Sequence, residues 1–129
     1  AAGQQEGIAF QLNARTDAFV RGGDRPLEVI IEDAITRGRA YLDAGAALVF
    51  VPGILNREVT EQLVAGLGEG TISVIGLPGA LSAAEYEALG VARISYGPLT
   101  QRHALRAFRD LAVDLYGTGV VPTDTPALN

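Results

Sequence analysis

Asn13, Arg15, Thr16 and Asp17 fall within the nine residues FQLNARTDA at 10–18, and Arg93 and Ser95 alternate within VARISY at 91–96. These are the groups whose types and spacing could do chemistry. If residues 8–15 form a strand, Ile8, Phe10, Leu12 and Ala14 point one way and Ala9, Gln11, Asn13 and Arg15 the other. The second face grows polar toward its carboxyl end. In a β/α barrel the functional groups stand at the carboxyl ends of the strands, which would put Arg15 at the mouth of an active site. Thr16 and Asp17 would begin the following loop. Arg93, Ser95 and Gly97 would share one face, with Ser95 near the mouth and Arg93 deeper. Zero cysteines exclude disulfides, thiolate metal sites and cysteine nucleophiles, and the single His103 cannot build a multi-histidine metal site. Any metal would need carboxylate and other oxygen ligands.

The elements that must position these groups alternate in type. Apolar residues at helical spacing predict a helix over 27–44, with Pro26 in its first turn, Asp24 or Arg25 near its cap and Gly45 after it. The continuous apolar run AALVFV at 46–51 predicts a covered strand. Asn56 caps a predicted helix to about residue 67, and 71–75 form a third strand. Ser82 with Glu85 three positions on predicts a capping box for a helix to residue 89. A fourth strand spans 91–96, and a long helix from 99 to 116 carries Ala104, Leu105, Phe108, Leu111, Ala112 and Leu115 on an expected buried stripe, stopped by Gly117. Residues 118–129 read as a tail that is flexible or docked on a partner.

With 129 residues, 48% of them hydrophobic, the chain can bury a core and is not disordered as a whole. A net charge of −5 without any basic stripe argues against a nucleic-acid partner. No apolar run reaches the ~18 residues of a membrane span, so a soluble, cytoplasmic protein is expected. There is no methionine, and the start AAGQQEG resembles a helix end or connecting loop, which suggests a trimmed or cleaved polypeptide, although removal of a leading Met would give the same start.

Four strands alternating with four helices imply a parallel α/β sheet, either open and doubly wound or part of a barrel. A complete (β/α)8 barrel takes ~250 residues, so the expected fold is a parallel β/α half-barrel over residues 1–117. The blocks NARTDAF at 13–19, AITRGRAYLDAGAALVFVPG at 34–53 and LGVARISYGPL at 89–99 resemble, in order and spacing, the carboxyl-terminal half of the isocitrate lyase and phosphoenolpyruvate mutase superfamily, closest to its mutase-like members. The resemblance implies that the half-barrel corresponds to strands 5–8 of a TIM-type barrel.

That resemblance implies a magnesium-dependent lyase or phosphonomutase acting on carbon–carbon or carbon–phosphorus bonds of small 2-oxo or 2-hydroxy carboxylates. It maps contact with the anionic carboxylate or phosphonate onto Arg15, whose planar fork can hold such a group and stabilise enolate-like charge. The alternative for Arg15 is a barrel-closing ion pair. Asn13 would orient Arg15 or an enolate oxygen, or make an interior hydrogen bond. Thr16 and Ser95 complete the candidate substrate contacts. Asp17 reads as a capping or Arg-pairing carboxylate, Arg93 as a member of an internal ion pair, and His103 as a surface or interface residue. The family's magnesium ligands and mobile catalytic loop lie on earlier strands, so this chain alone is expected to be incomplete and inactive, completed by a missing half-barrel, a homo-oligomer or both. Where the methylisocitrate lyase branch has acidic and polar residues after its sixth and seventh strands, this chain reads VPGI and GLPG.

Two other functions compete. The loops GLPG and SYGPL could cradle a phosphate ester, since barrels often bind phosphate after their last two strands. Alternatively, the chain is an inactive assembly module, because a half-barrel leaves two strand edges open to pairing.

Overall fold

A computed structural model describes residues 2–126. The elements in chain order are α1 (Ala2–Gln5), β1 (Asn13–Arg15), α2 (Leu27–Asp43), β2 (Leu48–Val51), α3 (Arg57–Leu67), β3 (Ile72–Ile75), α4 (Ala83–Ala88), β4 (Arg93–Ser95) and α5 (Leu99–Thr118). The strands form one parallel sheet in the order β1-β2-β3-β4. An open doubly wound sheet reverses its strand order at a switch point. Consecutive order throughout is that of half a β/α barrel. The chain divides into two compact units between Ser95 and Tyr96.

In the first unit the two faces of the sheet differ in kind. Val49, Val51, Ile72 and Val74 point outward and are completely buried beneath Ile30, Ile31 and Ala34 of α2, Val59, Leu63 and Leu67 of α3, and Tyr86 of α4. Each such side chain contributes about 1.5–3 kcal/mol by leaving water, so this single interface holds the unit together. The register pairs Arg15 with Phe50, Phe50 with Ser73 and Ser73 with Arg93. Those residues alternate with the buried set, so they form one row across the inner face.

Local signals explain the boundaries. Asn56 accepts from the Val59 amide at 2.9 Å, and Ser82 and Glu85 form the reciprocal capping box. Gly45, at φ +96°, ends the turn after α2 in a conformation other residues rarely adopt. Gly66 brings α3 close to α2, since a Cβ there would lie 2.5 Å from Ile35 Cδ1.

Three expectations differ. The first strand begins at Asn13 rather than residue 8, because the amides of Ala47 and Leu48 meet the Leu12 carbonyl and nothing upstream joins the ladder. Ile8, Phe10 and Leu12 are exposed as a result. The amino end of α2 carries Pro26 at the cap, with no capping hydrogen bond from Asp24 or Arg25.

The third difference lies in the second unit. There α5 runs through Gly117 and stops at left-handed Gly119, whose amide bonds to the Leu115 carbonyl. No residue of α5 is buried, so the expected buried stripe is uncovered, with Phe108 70% exposed. Arg106 and Arg109 pair with Asp110, and the Arg109 guanidinium beside it holds that carboxyl below its usual range. The last three residues of the expected tail lie outside the described residues.

Candidate functional site

Arg15 is the last residue of β1, where the sheet gives way to loop at its carboxyl edge. Its Nε donates to Asp17 Oδ1 at 2.5 Å and its Cζ lies 5.8 Å from the centroid of the Phe50 ring. The two terminal amino groups of the guanidinium have no hydrogen-bond partner among the described residues. Asp17 also approaches Arg21 at 3.8 Å, and its carbonyl accepts from the Arg21 amide. With side chains 54% and 33% exposed, the Arg15–Asp17 pair adds little stability. Its effect is to orient the fork: Asp17 and the Phe50 face occupy two sides of the guanidinium and leave its terminal amino groups open.

Asn13 lies on the same face one inward step below Arg15. Its Nδ2 reaches Ser73 Oγ at 3.4 Å, and its Oδ1 is buried without a hydrogen bond. Ser73, completely buried, also accepts from Arg93 Nη1 at 3.1 Å. Arg93 itself is exposed and, in this chain, bonds to a serine rather than an acid. Ser95 is half-buried at the carboxyl end of β4, and its carbonyl accepts from the Gly76 amide.

Thr16 is 1% exposed, and its Oγ1 accepts from the Ala18 amide at 3.4 Å. Following Arg15 along the strand, it turns to the opposite, helix-covered side. The structure therefore brings Asn13 and Arg15 to one face and gives the Thr16 hydroxyl to the turn. Phe50 and Ser73, which complete the row, carried no chemical signal beyond an aromatic and a lone hydroxyl in otherwise aliphatic strands. The exposed His103 lies on α5.

Among the described residues no three His, Cys, Asp or Glu side chains group as metal ligands do. The carboxylate nearest the site, Asp17, is already committed to arginines, so this chain's residues do not by themselves fit a magnesium ion. The amino end of α4, beside the GLPG loop, is filled by its own acid: Glu85 Oε2 accepts from the Ser82 amide at 2.9 Å. The Ser82 amide and hydroxyl, then the Arg57 guanidinium, hold the Glu85 carboxyl below its ordinary range. An opening of about 630 Å³ lies elsewhere, within the second unit between Phe108 and Leu111 of α5 and Pro122 of the following segment.

Consecutive parallel strands with helices on one face define half of a β/α barrel. A family model described as phosphoenolpyruvate phosphomutase matches residues 1–116, and the chain belongs to that family. It is similar to a structure described as a "putative phosphonomutase" from Burkholderia cenocepacia J2315, at 31% identity and a TM-score of 0.76 over 86% of this chain and 44% of that one. The 2,3-dimethylmalate lyase of the PEP mutase/isocitrate lyase superfamily is 27% identical, with a TM-score of 0.78 over 98% of this chain and 44% of its own. Oxaloacetate acetylhydrolase bound to its product oxalate is also 27% identical, with a TM-score of 0.76 over 94% and 41%. This chain thus spans less than half the length of these solved relatives. No curated protein matches it.

Proposed function

We propose that the chain supplies the anion-gripping corner of a lyase or phosphonomutase that acts on carbon–carbon or carbon–phosphorus bonds of small 2-oxo or 2-hydroxy carboxylates. The observation that carries this reading is the placement of Arg15. It ends β1 on the inner face, with Nε tied to Asp17 and its terminal amino groups free of partners among the described residues. When a bond alpha to a carboxylate or carbonyl breaks, negative charge collects on the carboxylate or enolate oxygens. A fixed guanidinium stabilises that charge without reorganising. Asn13 lies close enough along the strand to orient the bound group, and Ser95 stands at the carboxyl end of β4 as a further contact.

Family membership supports the reaction class, and relatives named for dimethylmalate, oxaloacetate and oxalate support small carboxylates as ligands. Magnesium, implied by the family resemblance, would take its ligands from sequence outside this chain. The Glu85 carboxylate at the amino end of α4 disfavours a phosphate cradle in the GLPG loop.

The test is Arg15→Lys in the full-length protein, assayed with oxaloacetate and 2,3-dimethylmalate and by oxalate binding. Lysine keeps the charge but loses the fork. A fall in kcat/KM of about 100-fold or more with a melting midpoint within a few degrees of wild type is expected. Equal losses of activity and stability would assign Arg15 a structural role, and tighter binding of inorganic phosphate than of oxalate would favour a phosphate-ester enzyme.

A further inference from the structure

Arg93 opens β4 on the inner face of the sheet, in the same row as Arg15, Phe50 and Ser73. Its Nη1 donates to the neutral Ser73 hydroxyl at 3.1 Å, and no carboxylate among the described residues lies within 4.0 Å of it. Beside it a cleft of about 280 Å³, lined by Leu12, Asn13, Ala47 and Leu48, is open at the amino ends of the strands. Asn13 Oδ1 is already buried there and lacks a donor. A guanidinium with five donors, of which a serine oxygen takes one, is tolerable only while water reaches it. Once the inner face is covered, an uncompensated cation costs several kcal/mol.

We infer that the layer closing this inner face is a β/α sheet that presents an Asp or Glu carboxylate to Arg93. A second copy of this chain is the wrong partner. Its inner face would bring its own Arg15 and Arg93, while Asp17, the acid beside Arg15, is engaged by Arg15 and Arg21. Opposed guanidiniums repel, whereas an acidic layer complements them. The solved relatives, of whose chains this one covers 41–44%, have the length for such a layer.

The test uses the full-length protein and follows the melting midpoint from pH 4.5 to 7.5. Paired with Arg93, the carboxylate has a depressed pKa, so its stabilisation is present above about pH 4.3 and lost as pH falls. In Arg93→Met the same carboxylate is stranded and its charging is penalised. The wild-type pair is still charged at pH 4.5, so the variant should melt below wild type there too, and the gap should widen by roughly 5 °C or more between pH 4.5 and 7.5 as the stranded carboxylate is charged; Arg93→Lys should recover most of the loss. The other charged or titratable groups around Arg93 are Arg15 in the row and, lining a cleft with it from α4, exposed Glu87 and buried Tyr86. Tyr86 stays neutral in this range because burial pushes its hydroxyl up. Glu87→Gln is the control and should leave the pH-dependent gap in place.

A gap that does not change with pH would overturn the inference. So would a loss confined to kcat/KM, which would place substrate on Arg93, or a self-associated dimer that dissociates on Arg93→Met. If Arg93→Met fails to fold at pH 7.5, folding at pH 5 that is lost on raising the pH supports the inference; failure at both, with Arg93→Lys equally unfolded, refutes it.

Discussion

The last residue of β1 and the residue after it take opposite sides. Arg15 faces the inner side with donors to spare, and Thr16 is buried and serves the turn through Ala18. The polar cluster NARTD stands out as a candidate because it interrupts apolar alternation. Its division into inner-facing and turn-forming residues follows from the point where the strand ends, which one sequence does not mark. Ser73 was opaque for a different reason: a hydroxyl within TISVI reads as an ordinary strand residue until the register sets it between Asn13 and Arg93. Tyr86 makes a further residue-scale case, being 1% exposed with a hydroxyl that lacks a hydrogen-bond partner. Tyr86→Phe should change unfolding free energy by less than about 1 kcal/mol, whereas Tyr86→Ala should cost about 3–5 kcal/mol through the cavity it leaves. Denaturant melts of the two variants check this.

Among the elements, α3 and α4 have the clearest punctuation, and their caps were readable because Asn56 and the Ser82–Glu85 pair satisfy amides within three residues of themselves. Ser82→Ala should cost about 1 kcal/mol. The Glu85 carboxyl, held down first by the Ser82 amide, stabilises above the unfolded value near pH 4.3 and stops doing so as pH falls through its lower folded value. Glu85→Gln keeps an acceptor but removes the charge, so thermal melts should show a deficit at pH 7 that closes below about pH 4. Strand 8–12 was misread because alternation reports amphipathicity, while a strand also needs a neighbour to bond. The stripe on α5 was misread in the same way: its helical period is real, but periodicity cannot say what covers a face.

For the whole molecule, the parallel pairing of four strands was legible from alternating element types, since each crossover needs its own helix, whereas their sequential order was not, because an open doubly wound sheet alternates in the same way. What covers the inner face was not legible either, because side-chain types mark a face and not its partner. Both edge strands, β1 and β4, have one unpaired side within the sheet, and Phe10 and Phe108 are 77% and 70% exposed. The isolated 129-residue polypeptide should therefore self-associate in sedimentation velocity as concentration rises. A monodisperse monomer across that range would contradict this expectation. Because Arg15 and Arg93 line the inner face, the association should not proceed through it.

The row Arg15, Phe50, Ser73, Arg93 takes one residue from each successive strand, and each strand is followed by its own helix. Every βα repeat is thus a cassette that contributes a single letter to the lining. Transplanting the third repeat from a relative would rewrite the Ser73 letter alone, leaving Arg15 and the other two letters in place, so the lining of such a barrel can be edited one repeat at a time.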